Sequence, residues 1–255
     1  MMTNIFDSHS HYDDVAFNED RHEILDALPE QGVVGIINCG CDIESSRDSI
    51  ALSERYSYIH AACGIHPHEC LNKTENDLSI LKELLLNKEC VAVGEIGLDY
   101  HYDFSPREQQ IKWFEIQLRT AVEMGLPVIV HDREAHEDTL NLIKKYRPKG
   151  VVHCFSGSAE MAKELIKLGM YIGLGGAVTF KNAKKPIETA KLVPNERLLI
   201  ETDCPYMAPA PFRGKRCTSD MIAYSAQVIA QARNSQPQDI LDLTCNNALE
   251  LFGII

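Results

Sequence analysis

The sequence predicts an α/β fold, a single (β/α)8 TIM barrel forming one domain over residues 1–255. Three observations carry that expectation. Eight short runs rich in Val, Ile and Leu recur along the chain, and each is followed by a segment with apolar residues three and four apart. The length suits one barrel, which commonly runs to roughly 250 residues. No G-x-G-x-x-G follows the first run, so an open doubly wound sheet lacks its phosphate loop.

The predicted strands are NIFDSH (4–9), VVGIINC (33–39), IHAACGI (59–65), CVAVGEI (90–96), PVIVH (127–131), VVHCF (151–155), MYIGLG (170–175) and RLLIET (197–202). They lack strict alternation, as strands covered on both faces should. The helical segments between them include IESSRDSIALSERY, EQQIKWFEIQLRTAVEM and SDMIAYSAQVIAQARN. Ser105-Pro106 and Ser158 read as helix starts, and Gly125 and Gly169 as stops. A ninth helix, PQDILDLTCNNALELFG, ends the chain. No Ser/Gly-rich linker or low-complexity segment divides it.

Composition narrows the function. Apolar side chains make up 45% and charged ones 24%, enough for a large core. Twenty-five Lys and Arg stand against 37 Asp and Glu, a net charge of -12, which suits gripping duplex DNA poorly. A local site whose charge bound cations reverse could still admit nucleic acid. Nine cysteines, with no C-x-x-C, lie mostly in apolar runs and read as buried free thiols of a reducing compartment. There is no signal-peptide core and no apolar stretch near the roughly 20 residues that span a bilayer. The expectation is a soluble, cytoplasmic protein with no membrane contact and no evident obligate protein partner.

Polar residues collect where the predicted strands end. D-S-H-S-H places Asp7, His9 and His11 at alternate positions, on one face if the strand is regular. The fourth strand delivers Glu95, the fifth His131, the sixth His153, and the eighth Glu201 and Asp203. These are carboxyl ends of strands, where barrel active sites are built. One such histidine is usually a hydrogen-bonded structural residue, Glu95 alone could be an ion-pair partner, and Asp203 alone a turn residue. Five strands offering ligand types at the same end is hard to obtain from packing. The set exceeds one tetrahedral zinc and suits two divalent cations sharing Glu95 as bridge, with Zn, Mn, Mg or Co all compatible with N/O donors.

Other residues carry weaker signals. His66, after the third strand, reads as a substrate contact, and His68 as lying further out. Arg133 has the fork geometry for phosphate, with a salt bridge to Asp132 or Glu134 as the plain alternative. Arg213, Lys215 and Arg216 form a basic patch just after the proposed metal site. Glu201 sits deeper and buttresses other residues. Cys154 and Cys204 point away from the site, and His22, His60, His101 and His136 are background.

D-S-H-S-H, CGIHPH, VAVGEIGLDYH, PVIVHDREA, VVHCFSGS, GGAVTFKNAKK and LLIETDCPYMAP-x-PFRGKR follow in order from residue 7 to about residue 216. In these motifs the chain resembles the TatD-type metal-dependent deoxyribonucleases of the amidohydrolase barrel superfamily. The resemblance implies two divalent metals on His9, His11, Glu95, His131, His153 and Asp203. It further implies phosphodiester hydrolysis at the 3′ end of single-stranded DNA, with Glu95 and Asp203 catalytic and His66 and Arg213 on the substrate. An alternative within the family is ester or amide hydrolysis, as in D-aminoacyl-tRNA deacylation. Cys217 and Thr218 stand where members commonly carry Asn and an acid, near the expected lip of the site.

Overall fold

In the computed structural model, which describes residues 2–254, eight parallel strands pair in chain order. They are β1 (Ile5–Ser10), β2 (Val33–Cys39), β3 (Ile59–Cys63), β4 (Cys90–Asp99), β5 (Val128–Arg133), β6 (Gly150–Val152), β7 (Tyr171–Leu174) and β8 (Leu198–Ile200). The edges meet where the His11 amide donates to Cys204 O at 2.8 Å and the Asp203 amide donates to His9 O at 3.0 Å. The sheet therefore closes into the (β/α)8 TIM barrel that the sequence predicts.

The strands alternate with helices α1 (Arg21–Ala27), α2 (Ile43–Arg55), α3 (Glu75–Leu84), α4 (Arg107–Met124), α5 (His136–Tyr146), α6 (Ala159–Lys167), α7 (Lys184–Leu192) and α8 (Ile222–Arg233). A ninth, α9 (Pro237–Phe252), follows. Among the described residues no helix is long and apolar enough to cross a membrane. Ser158 caps α6 by accepting from the Met161 amide, and Gly125 ends α4 in the left-handed region. Ser105 is not a cap: its hydroxyl donates to His68 O at 2.8 Å and accepts from the Leu71 amide, pinning the loop after β3.

Apolar packing settles which end of the barrel is open. Residues from every strand, including Phe6, Ile129, Tyr171 and Leu199, are buried with Cys245, Ala248, Leu251 and Phe252 of α9. Phe6, Ile129, Tyr171 and Leu199 each lie within the first two residues of their strands, so α9 plugs the amino end. The carboxyl ends remain as the mouth.

Strand lengths depart from expectation in ways that shape the site. β6 and β8 stop early, at Val152 and Ile200, and beyond them Cys154 and Asp203 take positive φ values of 42° and 63°. His153, Glu201 and Asp203 therefore stand on loops just past their strands. β4 runs longer, to Asp99, slipping register between Val93 and Ile96. Gly97, at φ 146°, allows this, since a Cβ there would sit 2.0 Å from His131 O.

Candidate metal centre

Glu95 lies buried at the centre of the mouth, and its two oxygens face different partners. Oε2 is 3.3 Å from His9 Nε2 and 3.5 Å from His11 Nε2. Oε1 is 2.8 Å from His131 Nδ1, 2.8 Å from His153 Nε2 and 3.5 Å from His66 Nε2. Asp203 closes the first group, its Oδ1 lying 3.5 Å from Nε2 of both His9 and His11. Histidines from four separate stretches of chain thus meet on one carboxylate, and Asp203 joins from a further stretch through His9 and His11.

The donor set fits divalent cations. His9 Nε2 faces His11 Nε2 at 3.0 Å, and His131 Nδ1 faces His153 Nε2 at 3.3 Å. Two imidazole lone pairs at that distance repel unless a proton or cation lies between them. Four donor triangles have ligand atoms within 4.8 Å of one another: His9–Glu95–His153, His9–His11–Asp203, His66–Glu95–His131 and His11–Cys41–Glu95. That spacing suits bonds of roughly 2.0–2.3 Å to a shared ion.

The electrostatics point the same way. Burial alone would raise the Glu95 carboxyl, but the charges of His153, His66 and His9 hold it well below the ordinary range. Asp203 is likewise held low against its burial, by the His11 bond and the His9 charge. Burial pushes His66 down to about 4, and its Nδ1 accepts from the His68 amide at 3.2 Å while Nε2 faces Glu95. Burial also lowers His9, helped by its neighbour His153, whose ring stacks on it at 3.8 Å.

Supporting residues orient these donors. Asp99 Oδ2 lies 3.3 Å from His131 Nε2 and 2.8 Å from His68 Nε2. The sequence reading missed Asp99, because Gly97 looks like the end of a strand. It also placed His68 outside the site, whereas Asp99 ties that ring to the mouth. Glu201 sits under His153, with Oε1 3.7 Å from its Nδ1 and accepting from the Cys154 amide, as a buttress would.

Asp7 does not share the face of His9 and His11. β1 slips register between Asp7 and Ser10, and the Asp7 oxygens accept from the Thr202 amide, Thr202 Oγ1 and Ser219 Oγ. This buried carboxyl, pushed up to about 7 by burial, ties β1 to the segment just after β8 and to Ser219. Cys41 is a further residue missed from sequence, its thiol 3.8 Å from His11 Nδ1. Only contacts between strands bring it there.

Arg133, at the end of β5, makes neither of the salt bridges that are the plain alternative to a phosphate contact. Asp132 pairs with His136 and Glu134 with His101, both at 2.9 Å or less, while the Arg133 guanidinium lies over the Tyr102 ring at 4.8 Å. Arg213 covers the Phe180 ring at 4.4 Å, and Arg216 pairs with Asp20. Cys217 is fully buried, so it does not form the lip, and Thr218 bonds Asp220 at 2.6 Å.

A closed barrel whose mouth gathers five imidazoles on one carboxylate has the architecture of a metal-dependent hydrolase. Comparison with known proteins sharpens this: the family described as TatD related DNase matches residues 6–253, and the chain belongs to the TatD family. It is 42% identical to the "uncharacterized metal-dependent hydrolase YabD" of Bacillus subtilis over 253 residues, covering 98% of this chain and 99% of that one. It is 33% identical to the "3′-5′ ssDNA/RNA exonuclease TatD" of Escherichia fergusonii, covering 93% and 95%. The crystal structure of YJJV, a TatD homologue from Escherichia coli K12, superposes with a TM-score of 0.94 at 32% identity over 100% of both chains.

Proposed function

We propose that this protein is a two-metal phosphodiesterase that removes nucleotides from the 3′ end of single-stranded DNA. The observation that carries the reading is the division of Glu95, with one oxygen toward His9 and His11 and the other toward His131, His153 and His66. A carboxylate so placed suits a bridge between two cations. His9, His11 and Asp203 would hold one, His131 and His153 the other, with Zn, Mn, Mg or Co as candidates. Bound divalent cations would supply Lewis acidity, making water nucleophilic near neutral pH and offsetting phosphoryl charge.

The chain's own groups do the rest. Asp203, ionised at neutral pH and 20% exposed, can take a proton from the attacking water. Arg133 and Arg213, neither engaged with a carboxylate among the described residues, can hold phosphodiester oxygens. His66 lines the same mouth and approaches the substrate or the ions. Asp99 and Glu201 fix the His131 and His153 rings. DNA as substrate is supported by the name of the E. fergusonii relative and by the resemblance of the motifs. All nine cysteines are free thiols, which favours a reducing compartment such as the cytoplasm.

The test sets metal-loaded protein against 5′-labelled single-stranded DNA, covalently closed duplex circles and D-aminoacyl-tRNA in parallel. A ladder shortening from the 3′ end, with intact circles, is expected. Efficient nicking of circles would overturn the end preference. Deacylation without DNA shortening would assign the centre to ester hydrolysis instead.

A further inference from the structure

Beside the metal mouth, on the loop after β4, stands an aromatic wall. Phe104 is 65% exposed and Tyr102 48%, whereas Phe6, Phe17, Phe114, Phe155 and Phe252 are buried. The two rings stack with centroids 5.3 Å apart and planes 22° from parallel. His68 braces both edge-on, at 4.8 Å from Phe104 and 5.6 Å from Tyr102. On Tyr102 rests the Arg133 guanidinium. The wall is also wired to the centre, since His68 and His131 share Asp99 Oδ2. A large apolar ring left in water but held rigidly in a stack is suited to a flat partner.

We propose that Phe104 and Tyr102, with Arg133 beside them, form a subsite that stacks an unpaired nucleobase and holds its neighbouring phosphate. The inference rests on the nucleic-acid reading above and adds to it a physical origin for single-strand selection. Every base has a π-face, so stacking supplies affinity that tolerates any sequence. A base inside a duplex keeps both faces on its neighbours and cannot use the wall. With a net charge of -12 the chain is poorly placed to hold a strand by charge alone, so the wall supplies what the surface lacks. The planar guanidinium can grip phosphate while keeping its stack on Tyr102.

The test crosses protein with substrate. Wild type, Phe104→Ala and Tyr102→Ala, each metal-loaded, are assayed on a 5′-labelled oligothymidylate and on the same strand with abasic sites at its last three positions. Phe104→Ala should raise KM on the natural strand by about 5- to 100-fold, more than it lowers kcat. On the abasic strand it should change little, because the base it would have stacked is already gone. Phe104→Trp serves as a reporter: its emission should be quenched by the natural strand and not by the abasic one. Both positions are exposed, so the substitutions leave the core intact. If wild type shortens the strand while both alanine variants match it on both substrates, the subsite is refuted and the activity stands. If wild type neither binds nor shortens the natural strand, the nucleic-acid reading itself fails and takes the subsite with it.

Discussion

Replacing Asp99 with Asn separates two tasks that one carboxylate performs. Oδ1 accepts from the amides of His101 and Tyr102, both at 2.9 Å, and so shapes the loop after β4. Oδ2 faces His68 and His131 at 2.8 and 3.3 Å. Asparagine can keep Oδ1 and both amide bonds but presents an NH2 group where Oδ2 stood. His131 then loses the acceptor that holds its Nε2–H and leaves Nδ1 free toward Glu95. Loss of such a supporting carboxylate costs about 10- to 100-fold in metal affinity or activity, or about 1.4–2.7 kcal/mol. Calorimetric titration of metal into metal-free Asp99→Asn should show that weakening, with Tm nearly kept. Asp99→Ala should lose Tm as well, since two turn bonds of about 0.5–1.5 kcal/mol each go with it. A folded Asp99→Asn variant with wild-type metal affinity and turnover would refute the reasoning.

Three further outcomes are expected. Asp203→Asn should lower kcat by about 10²- to 10⁴-fold while keeping the fold by circular dichroism, and near-normal kcat in the metal-loaded variant would assign the base elsewhere. Gly97→Ala would set a Cβ against the His131 carbonyl at φ 146°. It should cost roughly 1–3 kcal/mol in urea unfolding and weaken metal binding, and unchanged values would show that β4 tolerates the contact. His136 is raised above its ordinary pKa by its bond to Asp132, 2.8 Å away. Its stabilisation is therefore fully present below about pH 6.5 and lost as pH rises through the raised folded value. His136→Ala should be less stable than wild type at pH 5.5, by about 1 kcal/mol with the His136 side chain 38% exposed, and the gap should narrow by pH 9, where the neutral ring keeps only an uncharged hydrogen bond to Asp132. A gap of the same size at pH 5.5 and pH 9 would contradict this.

The barrel and much of its mouth were legible because both follow from local pattern. Short apolar runs mark strands, and the polar residue that ends each run marks the rim. That logic placed His9, His11, Glu95, His131 and His153 where the structure gathers them. It failed where the backbone leaves regular geometry. Asp7 was assigned to the His9 face because alternation assumes an unbroken β1, which slips at that point. Glu201 and Asp203 were read as strand neighbours, yet Asp203 reaches the mouth through a left-handed turn after β8 has ended. Asp99 was hidden behind a glycine that continues its strand. Cys41, His68 and the Tyr102–Phe104 wall depend on contacts between loops of different strands, which no spacing along the chain encodes.

The most direct test follows the rate of 3′-terminal nucleotide release from a 5′-labelled single strand as metal is added back to metal-free protein, with bound metal measured in parallel. If Glu95 bridges two ions, the rate should keep rising beyond one bound equivalent and level off near two. Full activity at one equivalent, or no 3′ release at any loading, would contradict the account.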